Sequence, residues 1–261
     1  MAQQRKGAVS EGGRLGLPAA VAVCLFDLDG VLTQTARVHS RAWKTMFDAF
    51  LRKRAAAGGA RFKPFDMVSD YDEYVDGKPR ADGVRSFLAS RHIQLPEGDD
   101  SDPPGKDTVH GLGNRKDGLF LDLIHRDGVT PYEGSVRYLR AAREAGLRTA
   151  VVSSSKNCSE VLKAAKLDGL FDGQVDGKVA QAEHLKGKPA PDTYLRAARI
   201  LGAHVAEAAV YEDALAGVEA GRAGGFAFVV GVDRTGQAAA LRSRGADVVV
   251  RDLADLMRAP R

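Results

Sequence analysis

The segment VAVCLFDLDGVLTQT, Val21 to Thr35, sets two carboxylates, Asp27 and Asp29, two residues apart at the end of an apolar run and just before a glycine. Like charges at the end of a buried strand repel each other and are costly to desolvate, so a cation, or a reaction that uses both groups, has to account for them. Three further stretches place polar residues after apolar runs or before helices: Ser153, Ser154, Ser155, Lys156 and Asn157 in VVSSSKN, Lys188 in GKPAPD, and Glu212 with Asp213 in VYEDALAG. Gathered at one place, these groups make one chemistry. Carboxylates with a preference for a hard cation bind Mg²⁺, which shares its ligands with phosphate oxygens. One carboxylate attacks phosphorus and forms an acyl phosphate. Lys188 and the Ser153 hydroxyl hold the transferring phosphoryl oxygens and offset their charge. The second aspartate protonates a leaving oxygen and deprotonates an incoming one. Taken singly, each stretch has a plainer reading as a turn, a helix cap, a helix start or a solvated loop. Their order and shared placement favour the chemical reading.

A rim of this kind needs a parallel sheet to hold it. Residues 20–26 form an apolar run that predicts a strand buried on both faces. Trp43, Met46, Phe47, Phe50 and Leu51 then recur at helical spacing, and Gly58–Gly59 ends that helix. From about residue 60 to 130 the chain is polar, helical in places, and interrupted by LPEGDDSDPPGKD. Helix and strand patterns alternate afterwards, with strands in LRTAVVSSS, EAAVYED, FAFVVGV and DVVVRDL. Such alternation predicts an α/β fold with helices on both faces of a parallel sheet. The long gap after the first strand predicts an inserted helical domain. The expected organisation is a flexible tail over 1–19, a core from 20–34 and 130–261, and an inserted cap over 35–129. In open parallel sheets ligands bind at the carboxyl ends of the strands, where the four polar stretches fall.

Composition narrows the class. The 261 residues are 44% hydrophobic and 28% charged, as in ordinary soluble domains, with a net charge of +4. A mild positive balance suits an anionic substrate, and no basic stripe interleaves with aromatics as nucleic-acid binding requires. No run approaches a membrane span, and the basic, glycine-rich start lacks the apolar centre of a signal peptide. Cys24 and Cys158 are expected to be buried, inert thiols of a reducing compartment, and the expected location is the cytoplasm. The chain is expected to act as a monomer.

FDLDGVLTQT, VVSSSKN, GKPAPD and YEDALAGVEAGRAGG together resemble the four successive motifs of the haloacid dehalogenase superfamily. Within it the chain most resembles the beta-phosphoglucomutase group, whose helical cap is inserted after the first motif. The resemblance implies a Rossmann-like core with an α-helical cap, Asp27 as nucleophile and Asp29 as general acid/base. It implies Mg²⁺ held by Asp27, the Asp29 carbonyl and the Glu212–Asp213 pair, with Ser153 and Lys188 on the phosphoryl group. It places Thr35 and His39 among the substrate-binding residues, His39 near Asp29, with Arg80 at the non-reacting phosphate and Lys116 at the sugar phosphate. Ser154, Ser155, Lys156 and Asn157 would line the substrate. An acid/base aspartate points to phosphate esters rather than to dehalogenation. The implied activity is a mutase moving phosphate between C1 and C6 of a hexose, with a hexose bisphosphate as intermediate. The competing expectations are a sugar phosphate phosphatase on the same scaffold and, from another class, a non-catalytic anion-binding module. One departure stands out: mutases of this group commonly carry a lysine just before the glycine of the cap's specificity loop, where this chain has Asp76.

Overall fold

The strand β1 (Val23–Phe26) has four fully buried residues, so it needs cover on both faces and neighbours on both edges. In the computed structural model, which describes residues 15–58 and 61–257, it has both. β1 pairs in parallel with β2 (Arg148–Val152) on one side and β4 (Ala208–Glu212) on the other. With β3 (Gly173–Val175), β5 (Phe228–Val232) and β6 (Val248–Val250), the sheet runs β3-β2-β1-β4-β5-β6. The register aligns Phe26 with Val151 and Tyr211, so the segments after these strands leave the sheet at one rim.

Alternation along β1 divides the core. Cys24 and Phe26 pack with Val151, Tyr211 and Val230 under α4 (Glu133–Glu144) and α5 (Cys158–Ala164). Val23 and Leu25 pack with Ala150, Val152 and Val210 under α7 (Asp192–Ile200) and α8 (Leu215–Ala223). The short helices α6 (Gly177–Ala182) and α9 (Ala238–Ser243) complete the crossovers. Both cysteines are free and buried, and burial pushes the Cys24 thiol up to about 12. Among the described residues, no helix is long and apolar enough to cross a membrane.

The expected tail needs correcting where it is described. Leu15 and Leu17 are 2% and 1% exposed within the core, and the Tyr138 hydroxyl donates to the Leu15 carbonyl at 2.9 Å. Two leucines bracketing a glycine are enough to dock this segment, whatever the polarity around them. Residues 1–14 lie outside the described residues.

The cap has its own core. α1 (Thr35–Ala56) packs against α3 (Val109–Asp127), with α2 (Arg80–Ser90) and a single π-helical turn at Tyr71–Val75 beside them. Trp43, Phe47, Phe65 and Phe87 stack in its centre, Phe47 and Phe87 with ring centroids 4.0 Å apart. The linkers to the core run side by side: Thr33 bridges Pro131 in antiparallel fashion, the Gln34 N–H donates to the Thr130 carbonyl at 2.9 Å, and the Tyr132 N–H donates to the Leu32 carbonyl at 2.8 Å.

Candidate active site

The centre of the sheet delivers an acid cluster. The Asp27 N–H donates to the Tyr211 carbonyl at 2.9 Å, which brings the aspartate out beside the end of β4. There Glu212 is the last strand residue and Asp213 the first beyond it. The carboxylates of Asp27, Glu212 and Asp213 lie within 4.8 Å of one another, and all three residues are buried. Lys188 reaches in from the loop before α7. Its Nζ donates to Asp27 Oδ1 at 2.5 Å and also to Glu212 Oε1. Both Glu212 oxygens are engaged, since Tyr194 Oη donates to Oε1 at 2.9 Å and the Ala214 N–H to Oε2 at 3.1 Å. Asp213 differs: its Oδ1 is buried with no hydrogen-bond partner among the described residues. Gly30 explains why the aspartate pair precedes a glycine. Its φ is +94°, and a Cβ there would stand 1.7 Å from Asp213 Oδ2, so no other residue fits.

Charge does not balance within this cluster. Burial pushes the Asp27 and Asp213 carboxyls well above the carboxylate range, and neighbouring carboxylates push both further, while Lys188 pulls Asp27 back. Burial works against the Lys188 ammonium, but Asp27 and Glu212 outweigh it and keep the lysine charged. Among the described residues, the Lys188 ammonium contacts Asp27 and Glu212, the Arg234 charge offsets Asp213 only in part, and one Asp213 oxygen has no hydrogen-bond partner. An all-oxygen donor set short of positive charge fits a hard divalent cation.

Asp29 faces the other way, toward the cap. Thr35 Oγ1 donates to its Oδ1, His39 Nε2 lies 3.4 Å from the same oxygen, and Ser153 Oγ donates to Oδ2 at 3.3 Å. Burial raises the Asp29 carboxyl, but His39, Thr35 and Lys116 outweigh it and hold it at about 2. His39 is stacked on Phe120 with centroids 3.9 Å apart, and burial and the Lys116 charge push its pKa down. Its Nδ1 meets Lys116 Nζ and its Nε2 is turned to Asp29. Lys116 is buried between Trp43 and Phe120, and burial, helped by Arg80, pushes it down to about 7.

A cavity of about 780 Å³ separates the two walls. Asp27, Asp29, Ser153 and Asp213 border it from the core, and His39, Asp76, Arg80 and Lys116 from the cap. Arg80, the first residue of α2, is held by Asp117 Oδ2 at 2.6 Å and donates to Asn114 Oδ1 at 3.0 Å. The segment GNRKDG thus supplies the partners of Arg80 as well as Lys116. The Lys116 ammonium sits on His39, which ties it to Asp29 rather than to Arg80 alone. Asp76 is buried at the seam; burial, with Asp72 and Glu212, pushes it up to about 7 against a hydrogen bond from Tyr71.

The expected substrate residues after β2 divide. Ser154 Oγ donates to the Gly77 carbonyl at 2.7 Å, Lys156 Nζ lies 3.5 Å from Asp100, and Asn157 Nδ2 donates to Asp117 Oδ1 at 2.9 Å. All three join core to cap. Ser155 accepts the Asn157 N–H at 3.1 Å. Ser154, Ser155 and Lys156 still border the cavity, whereas Asn157 and Thr35 sit behind its wall. Tyr194, Asn114 and Asp117 carried no signal in the sequence beyond their closeness to Lys188 and Lys116.

Comparison with known proteins finds relatives of this chain over nearly its whole length. A profile of haloacid dehalogenase-like hydrolases matches residues 21–225. A beta-phosphoglucomutase of Mycobacterium bovis is 57% identical over 246 residues, covering 93% of this chain and 94% of that protein. A beta-phosphoglucomutase of Bacillus subtilis is 31% identical, covering 89% and 90% of the two chains. In fold, a crystal structure of beta-phosphoglucomutase from Clostridium difficile superposes with a TM-score of 0.69 at 23% identity, covering 90% of this chain and 93% of that one.

Proposed function

The chain belongs to the haloacid dehalogenase-like hydrolases, and from that premise we propose that it is a Mg²⁺-dependent mutase moving a phosphoryl group between two hydroxyls of a hexose. The observation that carries this reading is one cavity bordered by Asp27 from the core and by Arg80 and Lys116 from the cap. Lys188 is buried behind Asp27, and Lys116 and His39 stand beside Asp29. A phosphatase needs a phosphate site only at Asp27. A mutase needs a second in the cap, because the bisphosphate must turn round between half-reactions.

Asp27 Oδ attacks phosphorus, and the bond from phosphorus to the sugar oxygen breaks as that oxygen takes the Asp29 proton. Asp29 is placed as a base at rest. A phosphoryl dianion arriving beside it raises its pKa, so the bound substrate helps to load the proton. Lys188, now on Asp27 and Glu212, is close enough to turn its ammonium to the phosphoryl oxygens, and Ser153 offers a hydroxyl beside them. The Asp27 and Asp213 carboxylates and the Asp29 carbonyl would hold Mg²⁺, with Glu212 orienting Lys188. The ion, when bound, offsets the charge of the reacting group. Closure of the cap over a bound sugar phosphate would exclude water and keep the acyl phosphate for a sugar hydroxyl.

The test is to follow isomerised sugar phosphate and inorganic phosphate together, with glucose phosphate, Mg²⁺ and a priming hexose bisphosphate. Isomerisation should outpace phosphate release, depend on priming, stop on chelation and return with Mg²⁺. Phosphate release that dominates for every hexose phosphate, unaffected by bisphosphate, would replace the mutase with the phosphatase.

A further inference from the structure

Arg234 lies just beyond β5 and outside the four motifs, yet its guanidinium is spent on the turn that carries Asp29. Its Nε donates to the Gly30 carbonyl at 2.8 Å and an Nη donates to the Val31 carbonyl at 3.2 Å. It is anchored by the Arg251 carbonyl at 2.7 Å, Ser135 Oγ at 3.3 Å, an ion pair with Asp252 at 3.9 Å and the Tyr132 ring, whose centroid is 3.6 Å from the guanidinium carbon. Tyr132 and Ser135 follow the returning cap linker at Pro131. The turn is also closed on itself, by the Gly30 N–H on the Thr33 carbonyl at 2.7 Å and by the Leu32 and Thr33 N–H groups on the Leu28 carbonyl, and tied to the returning linker by the Tyr132 N–H on the Leu32 carbonyl. Arg234 is thus a brace from outside the turn, fixed at the point where both linkers meet the core. A planar fork with fixed donors suits two successive carbonyls better than a lysine's single ammonium.

We propose that Arg234 is a positioning residue for the acid/base step, holding Asp29 at the distance where its proton reaches the leaving oxygen. The inference rests on Asp29 being the acid/base. It makes a specific demand. Arg234 should matter when the leaving oxygen needs a proton and not when it leaves as a stable anion. In both cases Asp27 Oδ bonds to phosphorus and the old phosphorus–oxygen bond breaks. With a sugar phosphate the released oxygen takes the Asp29 proton, and with acetyl phosphate acetate departs without one.

The experiment is rapid-quench measurement of Asp27 phosphorylation in Mg²⁺ from glucose 1,6-bisphosphate and from acetyl phosphate, in wild type, Arg234→Lys, Arg234→Gln and Asp29→Asn. Phosphorylation by the bisphosphate should slow by about 100-fold in the Arg234 variants, the scale expected for a catalytic group displaced by an ångström. Phosphorylation by acetyl phosphate should stay close to wild type. Arg234→Lys, which keeps the charge and one donor, reports if Arg234→Gln fails to fold; Tyr132→Leu, which frees the guanidinium from its stack, should show the same split more weakly. Equal losses with both donors, or no loss with the bisphosphate, would overturn the proposal. If Asp29→Asn itself shows no split, the acid/base assignment fails, an outcome distinct from a split in Asp29→Asn that the Arg234 variants lack.

Discussion

The two walls of the cavity are built differently. On the core wall, the groups sit at or just past strand ends and are fixed by sheet register: Asp27 hangs from the Tyr211 carbonyl, and Glu212 is locked by Lys188, Tyr194 and Ala214. On the cap wall, Arg80, Asp117 and Lys116 project from α2 and α3, and side-chain contacts hold them, an ion pair between Arg80 and Asp117 and a hydrogen bond between Lys116 and His39. Backbone register fixes a reacting atom tightly, while paired side chains on helices can exchange partners when a ligand arrives. The difference separates chemistry, which tolerates no displacement, from recognition, which does.

If that division is right, substitutions should fall into a graded order. Asp27→Asn keeps the shape of the core wall and removes the attacking charge. Turnover should drop by at least about 10³-fold, as removal of a covalent nucleophile does elsewhere; steady-state assay with either sugar phosphate or acetyl phosphate checks it, and near-normal turnover would dissolve the distinction between the walls. Arg80→Ala should act on the cap wall alone. Losing a charge-assisted contact costs about 1.5–3 kcal/mol, a rise in KM for sugar phosphate of about 10- to 100-fold, while phosphorylation of Asp27 by acetyl phosphate proceeds. A matching loss with acetyl phosphate would show that the walls do not act independently. The smallest effect concerns pH. With its pKa lowered to about 7, Lys116 is charged below that value and neutral above it. KM for sugar phosphate should therefore rise a few-fold as pH climbs past about 7, since the anion loses a cationic neighbour. Lys116→Arg, whose charge does not titrate in this range, should flatten that limb. A limb that persists in the arginine variant belongs to another group.

The same contrast decided what the sequence could reveal. The core wall was legible because apolar runs end abruptly in carboxylates, serines or lysine, and strand ends in a parallel sheet share one rim. β3 was not, because Gly173–Val175 is short and half-buried, with no apolar run to mark it. α3 was hidden by Gly111, Gly113 and Gly118, which argue against a helix. Tertiary contacts override them: Thr108 caps the helix through the Gly111 N–H, and Gly113 lets the Arg80 side chain lie close against the backbone. Arg234 was invisible for another reason. It acts on carbonyls, which leave no trace in side-chain identity, and those carbonyls lie some two hundred positions earlier.

The pairing of Thr33 with Pro131 has a consequence for how such a molecule can change over generations. Residues bridged across antiparallel backbone stand about 5 Å apart, so everything from 35 to 129 departs and returns at nearly one spot. To the sheet, that stretch is a closed loop whose length hardly registers, since doubling it would add only about 0.6 kcal/mol of closure entropy. The acidic segment around residues 97–107, or a whole further helix, can be gained or lost there while the register that sets Asp27 beside Asp213 stays as it is. Lineages would then be free to exchange the cap and inherit the acid cluster at the strand ends unaltered.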